Sequence, residues 1–249
     1  QPQPGESPEA SARAARYCAL ADALAAGCVL LTAHHQDDQA ETLLLQLLRG
    51  AGPKGLAAMP EQAALGHVTL LRPLLDVSRD ALRDYARLHG LDWVDDPSNA
   101  RLDYDRNFLR HEILPRLRAR WPSAGATLAR AARHQAGAAQ LLEELAELDG
   151  GQTTFSSQKM TCSVPISSLL RLSAPRRANL LRHWLHSQRA PLPSAAVLER
   201  IDCDVLHAAA DAEPLVCWGG VRLRRYRDRL YLDDVLEKDD PSRCLDWRM

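Results

Sequence analysis

The sequence predicts an α/β protein in two parts: a partial parallel sheet with flanking helices, then a smaller, mostly helical α+β domain. Three observations carry this. CVLLTA (28–33) is short and continuously apolar, as a strand buried in a parallel sheet is. A polar loop and a helical pattern follow it, which makes half of a βαβ unit. From about residue 126 helical patterns dominate, until LVCWGGVRLRRYRDRLYLDD (215–234) alternates around Gly219-Gly220 and reads as short antiparallel strands. The break near 120–126 divides the chain into 1–122, 123–235 and a short tail, 236–249.

In chain order, 5–27 has helical spacing, with Ala12, Ala15, Leu20 and Leu24 on one side and Gly27 as a stop. In 34–50, Ala40, Leu43, Leu44, Leu47 and Leu48 follow i, i+3, i+4, i+7, i+8, and Gly50 stands at C′. Leu45 makes this helix apolar almost all round, so it is expected to be buried. VTLLRPLL (68–75) is a second apolar run in which Pro73 forbids a central strand throughout. Ser78 caps a helix ending at Gly90. WVDDPSN (93–99) reads as a strand end and a turn. Helix signals return at Asp105, and Pro115 permits continuation only with a kink. One long helix covers 127–151, a polar stretch follows, and further helices are expected from Pro175 to Gln188 and from Ser194 to about Ala208, with Trp184 and Leu185 in the core.

Composition excludes several classes. The 249 residues are 46% hydrophobic, and 31 Lys+Arg against 32 Asp+Glu leave a net charge of −1, so nucleic-acid binding must rest on local patches. Charges interrupt every apolar run before the roughly 18–20 residues of a membrane span. The six cysteines (18, 28, 162, 203, 217, 244) form no C-x-x-C pair, and a reduced, cytoplasmic setting is expected. The chain begins at Gln1 without a signal-peptide pattern and reads as a piece of a longer protein.

The densest chemical cluster is His34, His35, Asp37, Asp38 and Glu41, directly after the first strand, where open α/β sheets bind ligands. Asp38 and Glu41, one turn apart, could hold Mg²⁺ or an ammonium group. The plainer alternative makes Asp37 or Asp38 an N-cap and Glu41 the end of a capping box. A second cluster, DYDRNFLRHEILP (103–115), puts Arg106 and Arg110 on one helix face and Asn107 and His111 beside them. Two guanidiniums one turn apart suit phosphate, although pairing with Asp103, Asp105 or Glu112 would also explain them. Arg13 and Arg16 form a weaker pair, and Lys54 lies in a Gly-rich loop that is not a P-loop. The C-terminal half carries Arg171, Arg176, Arg177, Arg182 and Arg189, then Arg222, Arg224, Arg225, Arg227 and Arg229 around Tyr226, near Trp218 and Tyr231. Arginine interleaved with aromatics suits unpaired RNA, and equally a strand face whose rings pack inward.

These pieces, in this order, resemble the tRNA(Ile)-lysidine synthases, a PP-loop (N-type ATP pyrophosphatase) family. AHHQDDQAETLLLQLLRGAGPKGLAAM (33–59) is similar to that family's HH-x-DDQ-x-ET…L-x-RG-x-G-x-x-GL signature. GESPEASARAARY (5–17), RPLLDVSRDALRDYARLHGLDWVDDPSN (72–99) and DRNFLRHEILPRL (105–117) resemble its neighbouring blocks. SAPRRANLLRHWL (173–185) and GGVRLRRYRDRLYL (219–232) resemble its tRNA-recognition domain. The resemblance implies a Rossmann-like synthase domain in 1–122, tRNA recognition in 123–235 and a linker in 236–249. It implies a carbon–nitrogen ligase that adenylates C2 of the wobble cytidine of a CAU-anticodon tRNA(Ile) with ATP. Lysine then displaces AMP, which forms lysidine and changes codon reading from AUG to AUA. Asp37, Asp38, Glu41, His34, His35, Arg106 and Arg110 would be catalytic, with Mg²⁺ on Asp38 and Glu41. Arg13, Arg16, Arg49, Asn107 and His111 would line the nucleotide, and Arg176, Arg177, Arg224, Arg225 and Tyr226 would contact RNA. A homodimer is left open.

The family's SGG-x-DS loop, whose N–H groups cradle pyrophosphate, has no counterpart in the 249 residues. The expectation is therefore an internal fragment lacking that loop and a last C-terminal domain. Competing readings are an RNA-binding remnant, a tRNA thiolase (disfavoured by the dispersed cysteines) and a metal-dependent phosphohydrolase. The 249-residue chain alone is expected to be inactive and weakly stable; a cooperative melt together with lysine-dependent turnover would overturn that.

Overall fold

β1 (Val29–Leu31) pairs in parallel with β3 (Val68–Leu71), Val29 opposite Thr69 and Leu31 opposite Leu71. It does so in a computed structural model that describes residues 8–94, 96–151, 163–209 and 212–234. The tail 236–249, most of the polar stretch after residue 151 and Asp95 lie outside the described residues. Residues up to Ala139 form one unit and those from Gln140 onward another.

In the first unit, β2 (Gln62–Leu65) adds an antiparallel neighbour to β3, giving the order β1-β3-β2. The sequence reading missed this hairpin because QAAL carries no β-branched or aromatic residue. Its two-residue loop opens on Gly66 at φ 58, the position where a primed turn wants glycine. β3 stops before Pro73, as expected. β1 corrects the expectation of a doubly buried strand: Val29 is 53% and Leu31 64% exposed. Its one sheet neighbour among the described residues is β3.

The helices follow most of their sequence signals, although α1 ends at Asp22, short of the expected stop at Gly27. α1 (Pro8–Asp22) precedes β1, and α2 (Gln36–Leu48) leaves it, with Gly50 at φ 70 beyond its C-cap. A short α3 (Pro53–Leu56) begins at Pro53 inside the expected loop. Ser78 caps α4 (Arg79–Leu88) by accepting the Ala81 N–H at 3.1 Å, and Gly90 (φ 60) follows the C-cap. At 93–99 the expected turn forms at Pro97–Ala100, but the expected strand does not: Trp93 and Val94 are exposed and outside both sheets. α5 (Asp105–Phe108), a π-helical turn (Leu109–Ile113) and α6 (Leu114–Arg120) run on as one helix. The π turn lies immediately before Pro115, where a plain α-helix would meet the proline ring. α7 (Ala124–Gly151) follows.

α2 also departs from expectation. Its polar first half is the buried part: Asp37, Asp38, Gln39, Ala40, Glu41 and Leu43. Leu47 and Leu48, expected inside, are 57% and 77% exposed and border an open apolar cleft of ≈ 520 Å³ with Phe108 and Ile113.

In the second unit, β4 (Ser163–Pro165), β5 (Leu215–Trp218), β6 (Val221–Tyr226) and β7 (Arg229–Asp234) form an antiparallel sheet in the order β4-β7-β6-β5. α8 (Ile166–Leu170), α9 (Ala174–Ser187) and α10 (Ala195–Arg200), continued by a π turn to Leu206, pack on it. β4 and α8 were not foreseen. Trp184, Leu185, Ile201, Val205, Leu223 and Leu230 belong to one core in which each is at most 1% exposed. No helix among the described residues is long and apolar enough to cross a membrane.

Leu230→Ala should lower unfolding free energy by about 2–5 kcal/mol through lost burial and a cavity. Leu215→Ala, at a half-exposed position, should stay within about 0.5 kcal/mol. Urea denaturation of the two variants checks the contrast.

Candidate functional site

The loop after β1 delivers the chain into α2 through His35, whose extended backbone (φ −129) makes it the N-cap. Asp38, three residues on, accepts the His35 N–H at 3.0 Å. The capping carboxylate is therefore Asp38, one turn earlier than the Glu41 expected for that role. His34 Nδ1 lies 2.9 Å from Thr32 Oγ1 at the end of β1.

Glu41 is fully buried. Arg110, from the π turn, grips it with both arms of the guanidinium: Nε to Oε1 at 2.7 Å and Nη2 to Oε2 at 2.9 Å. The same Nη2 also donates to Asp38 Oδ1 at 3.1 Å. Arg106, one turn earlier, places Nε 3.6 Å from Glu41 Oε2 and donates from Nη2 to Thr42 Oγ1 at 2.8 Å. Thr42 in turn donates to the Asp38 carbonyl at 2.7 Å. The two sequence clusters are thus one network, and the arginines pair with α2 rather than with Asp103, Asp105 or Glu112.

The electrostatics follow the burial. Loss of water pushes the Glu41 carboxyl above the usual carboxylate range, against the pull of Arg110. Burial alone would lower Arg110, but Glu41, Asp38 and Asp37 together raise it. Arg79 is lowered by its own burial and by Arg83 and Arg110.

Sequence reasoning missed several members. Arg118 of α6 pairs with the buried Asp37 at 2.6 Å, and Gly125 lies so close that a Cβ there would sit 3.3 Å from Arg118 Nη2. Gln39, nearly buried, donates to the Met59 carbonyl at 2.6 Å and accepts its N–H at 2.8 Å, which pins the loop after α2. A glutamine inside a leucine-rich helix was the signal available for it.

The other nominated residues stand elsewhere. Asn107 donates its amide to the carbonyls of Ser98 (2.9 Å) and Arg101 (2.8 Å), and His111 Nε2 lies 2.8 Å from the Asn99 carbonyl, so both brace the 97–100 turn. Arg16 and Arg49 are exposed on α1 and after α2, and the Arg13 side chain lies outside the description. In the second unit, Arg176 pairs with Asp149, Arg177 with Asp202 at 2.6 Å, and Arg224 with Asp233 at 2.6 Å, while Arg225 donates to the Ala208 carbonyl at 2.8 Å. Tyr226 is about half exposed.

Mg²⁺ takes about six oxygen ligands, of which one or two are usually protein carboxylates and the rest waters or substrate phosphates. Arg110 occupies both Glu41 oxygens and one of Asp38, and the His35 N–H takes the other. Both carboxylates are thus engaged by Arg110 in this arrangement, and no group of three His, Cys, Asp or Glu among the described residues is placed to hold a metal.

Residues 2–117 match the PP-loop domain family and residues 165–231 the TilS substrate binding domain. The parallel β1–β3 pair and the charged network at the end of β1 lie within the part of the chain that matches the PP-loop domain family. Over most of its length the chain is similar to curated tRNA(Ile)-lysidine synthases. It is 46% identical over 245 residues to the tRNA(Ile)-lysidine synthase of Coxiella burnetii, covering 98% of this chain and 54% of that protein. The enzyme of that name from Methylococcus capsulatus is 47% identical over 245 residues, 98% of this chain and 55% of that protein. The Pseudomonas putida one is 45% identical over 250 residues, 99% and 58% respectively. The chain spans about half the length of these curated relatives.

Arg110→Ala should cost about 3–5 kcal/mol by removing both hydrogen bonds to the buried Glu41 and leaving it Arg106 at 3.6 Å. The double change Glu41→Leu with Arg110→Met should recover most of that loss, because no charge is then stranded. A double-mutant cycle by denaturant unfolding reads the coupling.

Proposed function

We propose that this chain is part of an ATP-dependent carbon–nitrogen ligase that forms lysidine on the wobble cytidine of a CAU-anticodon tRNA(Ile). In that reaction the cytidine O2 attacks the α-phosphorus of ATP and pyrophosphate leaves. The amine of lysine then attacks C2 and expels AMP. Residues 1–122 serve the chemistry, 123–235 receive the tRNA, and 236–249 form a linker, in a cytoplasmic protein.

The observation that carries this reading is the Asp38–Glu41–Arg110–Arg106 network at the C-terminal end of β1, inside the PP-loop match. Ligands of open α/β sheets bind at that end. Arg110 is committed to Glu41, so Arg106, whose hydrogen bond among the described residues is to Thr42, is the better placed cation for charge developing on the α-phosphate. Asp37 and Asp38 favour an approaching ammonium, and His34 or His35 takes the proton that the lysine amine must lose before it attacks.

In the full-length gene product, Asp38→Asn should reduce lysine incorporation into a tRNA(Ile) transcript by roughly a hundredfold or more. The melting temperature should fall modestly, because the amide oxygen can still accept the His35 N–H while its NH2 then faces Arg110 Nη2 in place of Asp38 Oδ1. Radiolabelled lysine incorporation and a thermal melt provide the two readings. Unchanged incorporation would reduce Asp38 to a cap and leave RNA binding without catalysis.

A further inference from the structure

The arginines around the β6–β7 hairpin sort by what holds them. Arg224 Nε donates to Asp233 at 2.6 Å, and Arg222 Nε lies 3.9 Å from the same carboxylate. Arg225 donates to the carbonyls of Ala208 and Arg227, at 2.8 and 3.0 Å. Arg229 donates to Ser163 Oγ at 2.8 Å. Arg227 differs. Its contact among the described residues is the Tyr226 ring, 5.2 Å from the guanidinium carbon to the centroid, and both side chains are exposed.

Arg227 also sits where the backbone is least tolerant of a side chain. It is the first of the two residues that link β6 to β7, at φ 54. The β2–β3 hairpin places Gly66 (φ 58) in that position, and the β5–β6 hairpin places Gly219 (φ 52). A left-handed conformation costs an arginine energy that glycine does not lose, and it persists where neighbours over-determine it. Here they do. Arg225 holds the Arg227 carbonyl, the Asp228 carbonyl accepts the Ile166 N–H at 2.9 Å, and the Asp228 carboxylate accepts the Ser167 hydroxyl at 2.8 Å. Arg189 is left-handed as well (φ 57), but it follows the C-cap of α9, where that conformation ends a helix.

We propose that Arg227 and Tyr226 are the point at which this unit grips RNA, Arg227 on a backbone phosphate and Tyr226 stacked with an unpaired base. A guanidinium laid on a ring, both exposed and held on a braced tip, offers a charged fork beside a π face. Tyr231 lies edge-on 6.4 Å from Tyr226 and carries Arg224 at 5.1 Å, a second arginine–ring pair beside the first. The inference takes RNA as the ligand from the proposed function and adds the residues that touch it.

Arg227→Gly separates a ligand role from a structural one, because glycine relieves the backbone while removing the charge. Binding of an unmodified CAU-anticodon tRNA(Ile) transcript to the chain, followed by fluorescence anisotropy across a salt series, is read beside thermal unfolding. The variant should melt higher than the wild type, yet bind roughly tenfold more weakly. Its slope of log Kd against log salt should shrink by about 0.7–0.9, the value of one phosphate. Tyr226→Ala should weaken binding with the slope unchanged. An Arg227→Gly protein that binds with wild-type affinity and slope, or that melts lower than the wild type, overturns the proposal. A wild-type chain that does not bind the transcript overturns the RNA reading itself, and the proposal with it.

Discussion

A carboxylate stripped of water is unstable in a fold unless both of its oxygens are met, and Glu41 is met by the two arms of Arg110. The rest of the first unit's polar architecture depends on that pairing. It fixes the rotation of α2 about its axis, because Glu41 must face the π turn. With α2 so turned, Asp38 reaches both its capping N–H and Arg110, Thr42 falls under Arg106, and Asp37 meets Arg118. The same rotation sends Leu47 and Leu48 outward.

That rotation explains what the sequence could reveal and what it could not. Helix α4 was legible at both ends, because a serine acceptor and a left-handed glycine act within a few residues. The hairpins of 215–234 were legible for the same reason, through alternation and a glycine pair. The facing of α2 was not legible. Its leucine periodicity states which residues share a side, but the side turned inward is decided by an arginine 69 residues further along. Local acids looked sufficient for Arg106 and Arg110, and the true partners were invisible until the two helices met. The β2 strand escaped for a different reason. Its alanines and glutamine have little preference of their own, and the pairing is imposed by β3.

The second unit teaches a related lesson about charge. Its arginines look unopposed in sequence because their acids are distant: Asp149 for Arg176, Asp202 for Arg177. Folding sets Arg176, Arg177, Arg222 and Arg224 against carboxylates, so arginine density overstates the positive surface that remains. Buried apolar positions suffer no such ambiguity, and Trp184 and Leu185 were assigned to the core from pattern alone.

The π turn at 109–113 has a further effect. Its Leu114 N–H bonds back to Leu109, five residues earlier, so the turn holds one residue more than an α-helical path would. One residue is about 100° of rotation. The turn therefore brings Arg110 and Arg118, which would stand about 80° apart on an unbroken α-helix, back to nearly one side. It acts as an angular offset, letting a single continuous rod direct Arg110 toward one pair of α2 carboxylates and Arg118 toward a third.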